Sequence, residues 1–286
     1  MKRSAISGHT RVFGLVGHPV RHSLSPAMYN ALFERFNIDA VYLAFDVHPD
    51  QADKVADLVR VMDLAGVNLT VPFKETILPN LDSATAAAKE AGAVNVVTQM
   101  DGTLMGYNTD GEGFVRSLAE EDGPDPSGIH AIVLGAGGAA RAVASGLLDR
   151  GAKRITFLNR TESRAVEAAN AMAQTYGQAT VDTGTLTAAD FADHANSSRL
   201  VVNCTSGPAA EIVAGFDPGA LDTNASWVDI NYWMDDPPCQ RTVVAAGHKF
   251  HTGLGMLAHQ GALAFELFTG YPATGAELRA FLLERE

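Results

Sequence analysis

Two short stretches, NLTVPFK (68–74) and GYNTD (106–110), carry the residue types that proton chemistry needs. Lys74 follows a proline that interrupts an alternating, strand-like run, and Asp110 closes a polar turn. An amine and a carboxylate beside one reacting oxygen can hand it a proton or take one away. More polar side chains gather where apolar runs end: Ser23 and Ser25 in HSLSP, Asn68 and Thr70 in NLTV, and Asn95 in GAVN. Each has a plainer alternative. Ser25 and Asp110 would suit helix caps, Asn68 and Thr70 a solvated strand face, and Lys74 an ordinary surface lysine. Their shared position favours a site, because the C-terminal ends of strands form the ligand edge of an open α/β sheet.

A second constellation lies further along. The apolar AIVL runs straight into Gly135-Ala136-Gly137-Gly138-Ala139-Ala140, and a helical pattern follows. This is G-x-G-x-x-A between a strand and a helix, a context that suits a tight turn and a pyrophosphate on the helix N-terminus. The next strand, RITFL, ends at NRTESR, where a site for NAD would offer an acidic residue to the ribose hydroxyls. Here Asn159, Arg160, Thr161 and Arg164 offer donors and cations instead, which match a 2′-phosphate. NADP is therefore expected rather than NAD. A nicotinamide cofactor beside a proton carrier points to hydride transfer at an alcohol carbon.

The elements that must hold these residues can be read from periodicity. RVFGLVG (11–17) is a buried strand; Tyr29, Leu32, Phe33 and Phe36 then mark one helix face, with Ser25 and Pro26 as N-cap and first turn. VYLAFDV (41–47) is a second strand. The next helix has Val55, Leu58, Val59 and Met62 on its core face and ends at Gly66, and GVNLTV forms the third strand, with Leu69 and Val71 packing inward. This order implies parallel strands, while Asp-Gly within 94–108 predicts a hairpin, so the first sheet is mixed. After the EEDGPDPSG break (120–128) a second strand–helix series begins, with strands at 199–205, 227–232 and 248–253 and a closing helix. Both halves read as α/β.

Composition narrows the function classes. With 286 residues, 47% hydrophobic and 19% charged, the chain suits a globular two-domain protein. A formal net charge of −12 argues against nucleic acid or an anionic membrane surface as partner. The two cysteines, Cys204 and Cys239, are too few for a disulfide framework, so a cytoplasmic location is expected. The apolar VFGLVG is too short for a signal segment or a span. A small molecule is the expected partner, with the protein a monomer or homodimer. Among nine histidines, neither His18/His22 nor His248/His251 suggests a metal site, since the second pair should alternate across a strand. Cys204 reads as a small packed residue and Cys239 as a loop residue.

Taken in order, HSLSP, NLTVPFK, GAVN, GYNTD, GAGGAAR, NRTESR, VVNCTS and GLGMLAHQ resemble the motifs of the shikimate dehydrogenase family, along nearly the whole chain. The resemblance implies reversible NADP-dependent reduction of 3-dehydroshikimate to shikimate in aromatic biosynthesis. Lys74 and Asp110 would be catalytic, and Ser23 and Ser25 would bind the substrate carboxylate. Asn68, Thr70, Asn95, Tyr232 and Gln260 would complete the substrate site. Gly135, Ala136, Gly137, Gly138, Ala139 and Ala140, with Asn159, Arg160, Thr161 and Arg164, would hold NADP, and Met256 would lie near the nicotinamide. It also implies a discontinuous substrate-binding domain (1–111 and 249–286), a Rossmann-type NADP-binding domain (112–248) and a cleft between them. Two stretches depart from the family pattern: YWMDDPP, with Met234 and Pro237 at the usual first proline and threonine, and GPAAE after NCTS. The close alternative is quinate or a related polyol as substrate, against which Ser25 and Arg160 speak; a non-catalytic nucleotide-binding regulator is the distant one.

Overall fold

The computed structural model describes residues 6–232 and 237–284. The chain forms two compact units, residues 1–109 with 258–286, and residues 110–257. In the first unit, β1 (Arg11–Gly17), α1 (Ser25–Arg35), β2 (Ala40–Asp46), α2 (Val55–Val61) and β3 (Gly66–Leu69) form a parallel β-α-β-α-β series. There follow α3 (Phe73–Thr76), β4 (Ser83–Ala84), α4 (Ala86–Ala91), β5 (Val96–Met100) and β6 (Thr103–Tyr107). The sheet order is β2-β1-β3-β5-β6-β4, with β5 antiparallel to β3 and to β6. The expected hairpin turns on Asp101 (φ 50°) and Gly102 (φ 78°), the left-handed pair that matches strand twist. The first sheet is thus mixed.

Three local expectations need correction. Helix α2 ends at Val61, so Met62 sits at its C-cap and is 53% exposed, while Leu64 beyond it fills the core. Gly66 opens β3 rather than stopping the helix. Strand β3 stops at Leu69, and the chain turns outward before Pro72, leaving Val71 64% exposed instead of packed. At α1 the N-cap is Leu24, with no side-chain cap bond, so the Ser25 hydroxyl is not spent on capping.

The second unit contains α5 (Asp110–Glu120), β7 (His130–Leu134), α6 (Gly138–Asp149), β8 (Arg154–Asn159), α7 (Glu162–Thr175) and β9 (Thr180–Thr185). It continues through α8 (Ala188–Ala195), β10 (Leu200–Asn203), α9 (Ala209–Ala214), β11 (Ser226–Asp229), α10 (Gln240–Ala245) and β12 (Lys249–Thr252). Helix α11 (Leu254–Thr269) returns the chain to the first unit, which ends with α12 (Gly275–Leu283). All strand pairs are parallel, in the order β12-β11-β10-β7-β8-β9. Strand order reverses at β7, the point where doubly wound sheets bind nucleotides. The 120–128 break lies inside this unit, since Phe114, Val115 and Leu118 of α5 share a core with Val143 and Leu147 of α6. Strand β12 pairs with β11, so residues 249–257 belong here rather than with the first unit.

Helices α5 and α6 touch through their backbones. A Cβ on Gly146 would lie 2.6 Å from the Gly111 carbonyl oxygen, so only glycine permits this approach. The contact ties the start of α5, where Asp110 lies, to the helix that follows the glycine-rich turn.

His130, at the start of β7, is 7% exposed and bonded to Thr156 Oγ1 (2.8 Å), Ser197 Oγ (2.9 Å) and Ser198 Oγ (3.0 Å). Burial, helped by the charges of Arg154 and His194, pushes its pKa down to about 4. The unfolded chain then binds this proton more readily, so the stabilisation is complete above about pH 6.5 and is lost as pH falls toward 4. The full shift corresponds to about 3 kcal/mol, which residual solvent screening of the ring reduces to roughly 2 kcal/mol. Thermal melting of the protein and of a His130→Gln variant across this range should show a steeper acid loss in the parent; parallel curves would refute it.

Candidate active site

In the first unit, strand pairing brings the polar residues of separate motifs to one sheet edge. The Thr70 N–H donates to the Val16 carbonyl (3.0 Å) and that of His18 to Val71 (2.9 Å), so the HSLSP segment and the end of NLTV leave the sheet side by side. Ser25 is buried, and its N–H donates to Ser23 Oγ (3.2 Å). Lys74 is half-buried on the single turn of α3, where its carbonyl accepts from Val94 N–H (2.7 Å), one residue before Asn95. The Leu69 N–H donates to the Asn95 carbonyl (2.9 Å). Backbone bonds therefore set Lys74, Asn68 and Asn95 together.

A buried amide network follows from this. Asn68, 6% exposed, accepts the Tyr42 hydroxyl on Oδ1 (2.7 Å) and donates through Nδ2 to the Asn95 carbonyl (3.2 Å). The Asn95 Nδ2 donates to Thr109 Oγ1 (2.8 Å) and to Gln260 Oε1 (3.4 Å), and Asn95 Oδ1 accepts from Thr109 N–H (2.8 Å). Thr109 Oγ1 in turn donates to the Gln260 carbonyl (3.2 Å). Residues from four separate motifs, NLTVPFK, GAVN, GYNTD and GLGMLAHQ, are thereby oriented by one another. Tyr42 and Thr109 were not singled out from sequence. The only sequence signal was a tyrosine inside an apolar strand, whose buried hydroxyl must find a partner.

In the second unit, the nucleotide motif sits where its spacing places it. Gly135 has φ 105°, and its N–H donates to the Leu158 carbonyl (2.8 Å), joining the glycine-rich turn to the end of β8. Gly137 precedes α6 in extended conformation, with no side chain capping that helix. At the end of β8, Asn159 Nδ2 donates to the Thr161 carbonyl (2.8 Å), shaping the turn that leaves Arg160, Thr161 and Arg164 exposed. This edge offers backbone donors for a pyrophosphate and two guanidinium groups nearby. Met256, 7% exposed, packs into the core beneath α6 residues such as Val143. Asp110 is 3% exposed at the first turn of α5, and Tyr232 is half-buried just after β11.

The same edge holds a polar cluster that sequence reading missed. Asp229 Oδ1 accepts from Asn231 N–H (3.0 Å) and Nδ2 (2.6 Å), while Oδ2 accepts from Asn203 Nδ2 (2.8 Å). Asn203 Oδ1 accepts from the Thr205 N–H (3.1 Å) and hydroxyl (2.7 Å), and Asn231 Nδ2 donates to the Thr205 carbonyl (2.9 Å). Burial raises the Asp229 carboxyl above its usual range despite these bonds. Cys239 lies, as expected, outside the regular elements, in the turn that leads into α10; it is nevertheless 3% exposed, and burial beside Asp229 pushes its thiol up to about 12. The sequence shows a polar residue ending each of two apolar runs, VVN and WVD, but that Asn203 and Asp229 are register partners emerges only with the sheet. Trp233 to Asp236, including the atypical Met234, lie outside the described residues.

Among the described residues, no group of three or more His, Cys, Asp or Glu side chains is placed to hold a metal ion. His248 and His251 go to different partners, the Pro218 carbonyl (2.9 Å) and Glu121 (3.4 Å). No helix among the described residues is long and apolar enough to cross a membrane.

Comparison with known proteins agrees with this geometry. The family model for the shikimate dehydrogenase substrate binding domain matches residues 15–97, that for shikimate / quinate 5-dehydrogenase matches 117–224, and that for the shikimate 5′-dehydrogenase C-terminal domain matches 253–273. The shikimate dehydrogenase (NADP(+)) of Symbiobacterium thermophilum is 42% identical over 275 residues, covering 94% of this chain and 92% of its own. The shikimate 5-dehydrogenase of Listeria monocytogenes, solved with shikimate and NAD, superposes with a TM-score of 0.85 at 30% identity, covering 97% of this chain and 98% of its own. That of Thermus thermophilus, solved with NADP(H) and shikimate, gives a TM-score of 0.81 at 35% identity over 94% of this chain and 97% of its own. With its mixed first sheet, parallel second sheet and full-length similarity, this chain belongs to the shikimate dehydrogenase family.

Proposed function

We propose that this protein catalyses the reversible, NADP-dependent reduction of 3-dehydroshikimate to shikimate, the first unit binding the substrate and the second the cofactor. The observation that carries the reading is the buried network of Asn68, Asn95, Thr109 and Gln260 in a member of this family, an arrangement suited to a ring bearing several hydroxyls. Ser23 and Ser25 hold the substrate carboxylate, and Thr70 and Tyr232 add contacts to the ring. In the oxidative direction, the single hydroxyl proton passes to the Lys74–Asp110 pair as hydride leaves the adjoining carbon; in reduction the pair returns it. Bound NADP supplies the hydride acceptor. Two cysteines, too few for a disulfide framework, suit a reducing cytosol.

The second unit fits that cofactor. Gly135 to Ala140 form an uncapped helix entrance with a left-handed first glycine, and the turn after β8 presents Arg160 and Arg164 in place of an acidic residue. Asn159 and Thr161 shape that turn, and Met256 contacts the nicotinamide. Replacing Arg160 or Arg164 by Ala should raise the KM for NADP by about 10- to 100-fold, the range of a lost charge-assisted bond, and leave NAD within about twofold. Equal losses for both cofactors would overturn the 2′-phosphate assignment.

Steady-state kinetics with shikimate and quinate, each paired with NADP and NAD, test the reading as a whole. Shikimate with NADP should give the highest kcat/KM. A preference for quinate would shift the assignment to the polyol reading, and no turnover with any pair would leave a nucleotide-binding regulator.

A further inference from the structure

We propose that Tyr42 is a positioning residue for substrate recognition, its buried hydroxyl fixing the side-chain amide of Asn68. The inference rests on the reading of Asn68 as a substrate ligand. Tyr42 is 1% exposed on β2, which is separated from β3 and Asn68 by the intervening β1. Its hydroxyl crosses that distance to donate to Asn68 Oδ1 at 2.7 Å. The Asn68 Nδ2 is committed to the Asn95 carbonyl at 3.2 Å. A donor on one side and an acceptor on the other define which amide atom faces which way, since a flipped amide would oppose two oxygens on one side. One N–H and one lone pair of Asn68 are then aimed in a set direction, toward a ligand hydroxyl that both gives and accepts a hydrogen bond.

Tyr42 is itself held rigidly. Its N–H donates to Asn30 Oδ1 (3.1 Å) and its carbonyl accepts from Asn30 Nδ2 (2.8 Å), so one side chain of α1 clamps the strand backbone at this residue. Its ring stacks on Tyr29 of α1, with centroids 4.4 Å apart and planes 17° apart. The Tyr29 hydroxyl reaches the Gly261 carbonyl (3.2 Å), next to Gln260. The contacts close into a circuit: α1, which begins at Ser25, holds Tyr42; Tyr42 holds Asn68; Asn68, Asn95 and Thr109 lead to Gln260; and α11 returns to Tyr29. Of these contacts only the hydroxyl bond to Asn68 needs a tyrosine at this position; phenylalanine would fill the same space and keep the backbone clamp.

The test is a double-mutant cycle on Tyr42→Phe and Asn68→Ala, read as KM and kcat for shikimate, KM for NADP, and melting temperature. The Phe variant keeps the ring, the Tyr29 stack and the Asn30 clamp, and should fold. Loss of the orienting bond should raise the KM for shikimate about fivefold to tenfold, with kcat within about twofold and the NADP KM unchanged. In the Asn68→Ala background the same substitution should change the shikimate KM by less than twofold. A Tyr42→Phe enzyme with parental KM, beside an Asn68→Ala enzyme with raised KM, would overturn the role of Tyr42 and leave the substrate site intact. An equal KM change in both backgrounds would also overturn it, because Tyr42 would then act independently of Asn68. A parental KM for Asn68→Ala would remove Asn68 from the substrate site and this inference with it.

Discussion

Replacing Lys74 by Ala is expected to lower kcat by about 10²- to 10⁴-fold, the usual contribution of a positioned proton carrier, with the shikimate KM within about threefold. The substitution is a clean one. Lys74 is held through its backbone, by the Val94 N–H on its carbonyl, and the core of that turn is Phe73, fully buried next to it. Removing the side chain therefore leaves the turn anchored through its backbone and Phe73, and a melting curve beside the kinetics checks that the fold is kept. A lysine that merely binds substrate would behave in the opposite way, with KM raised and kcat kept. Asp110→Asn should likewise lower kcat, since the amide cannot accept the proton. Its position at the first turn of α5 means that a stability control is needed beside the kinetics.

Replacing Asp229 by Ala is expected to destabilise the protein by about 3 kcal/mol, because Asn203 and Asn231 lose the acceptor for three N–H groups in a buried setting. In a chain of this size that is a fall of about 6–10 °C in melting temperature. The functional effect should follow from what the two asparagines hold. Asn203 fixes Thr205, and Asn231 binds the Thr205 carbonyl and immediately precedes Tyr232. Slack in these strand exits should raise the KM for NADP more than that for shikimate, as the cluster lies at the nucleotide edge of the second sheet. Unchanged melting and an unchanged NADP KM would show that the carboxylate is dispensable. Burial already disfavours the charge on Asp229, which offsets part of this loss.

How much was legible beforehand varies by element in a physical way. The strand–helix series that carry HSLSP, NLTVPFK and GAGGAA were readable because β1, β3 and β7 are buried over most or all of their length and the helices keep a periodic apolar stripe. The Asp-Gly hairpin was readable from turn chemistry alone. Strand β9, TVDTGT, was not, because it is an edge strand without apolar alternation and gains its structure by pairing with β8. The exposure of Met62 and Val71 was misjudged by extending α2 one residue and β3 two residues too far, the usual margin at element ends. In the site, individual motif residues could be named, but their partners could not. Tyr42 meets Asn68 across an intervening strand, and Asn203 meets Asp229 through strand register, relations that exist only once the sheets form.

The central claim is most directly tested by mixing the purified protein with shikimate and NADP at mildly alkaline pH and following the absorbance of reduced cofactor. Reduced NADP should appear in proportion to 3-dehydroshikimate formed, and the reaction should run backward when the ketone and reduced NADP are supplied. Absence of reduced cofactor in the forward assay, with the protein folded, would contradict the account.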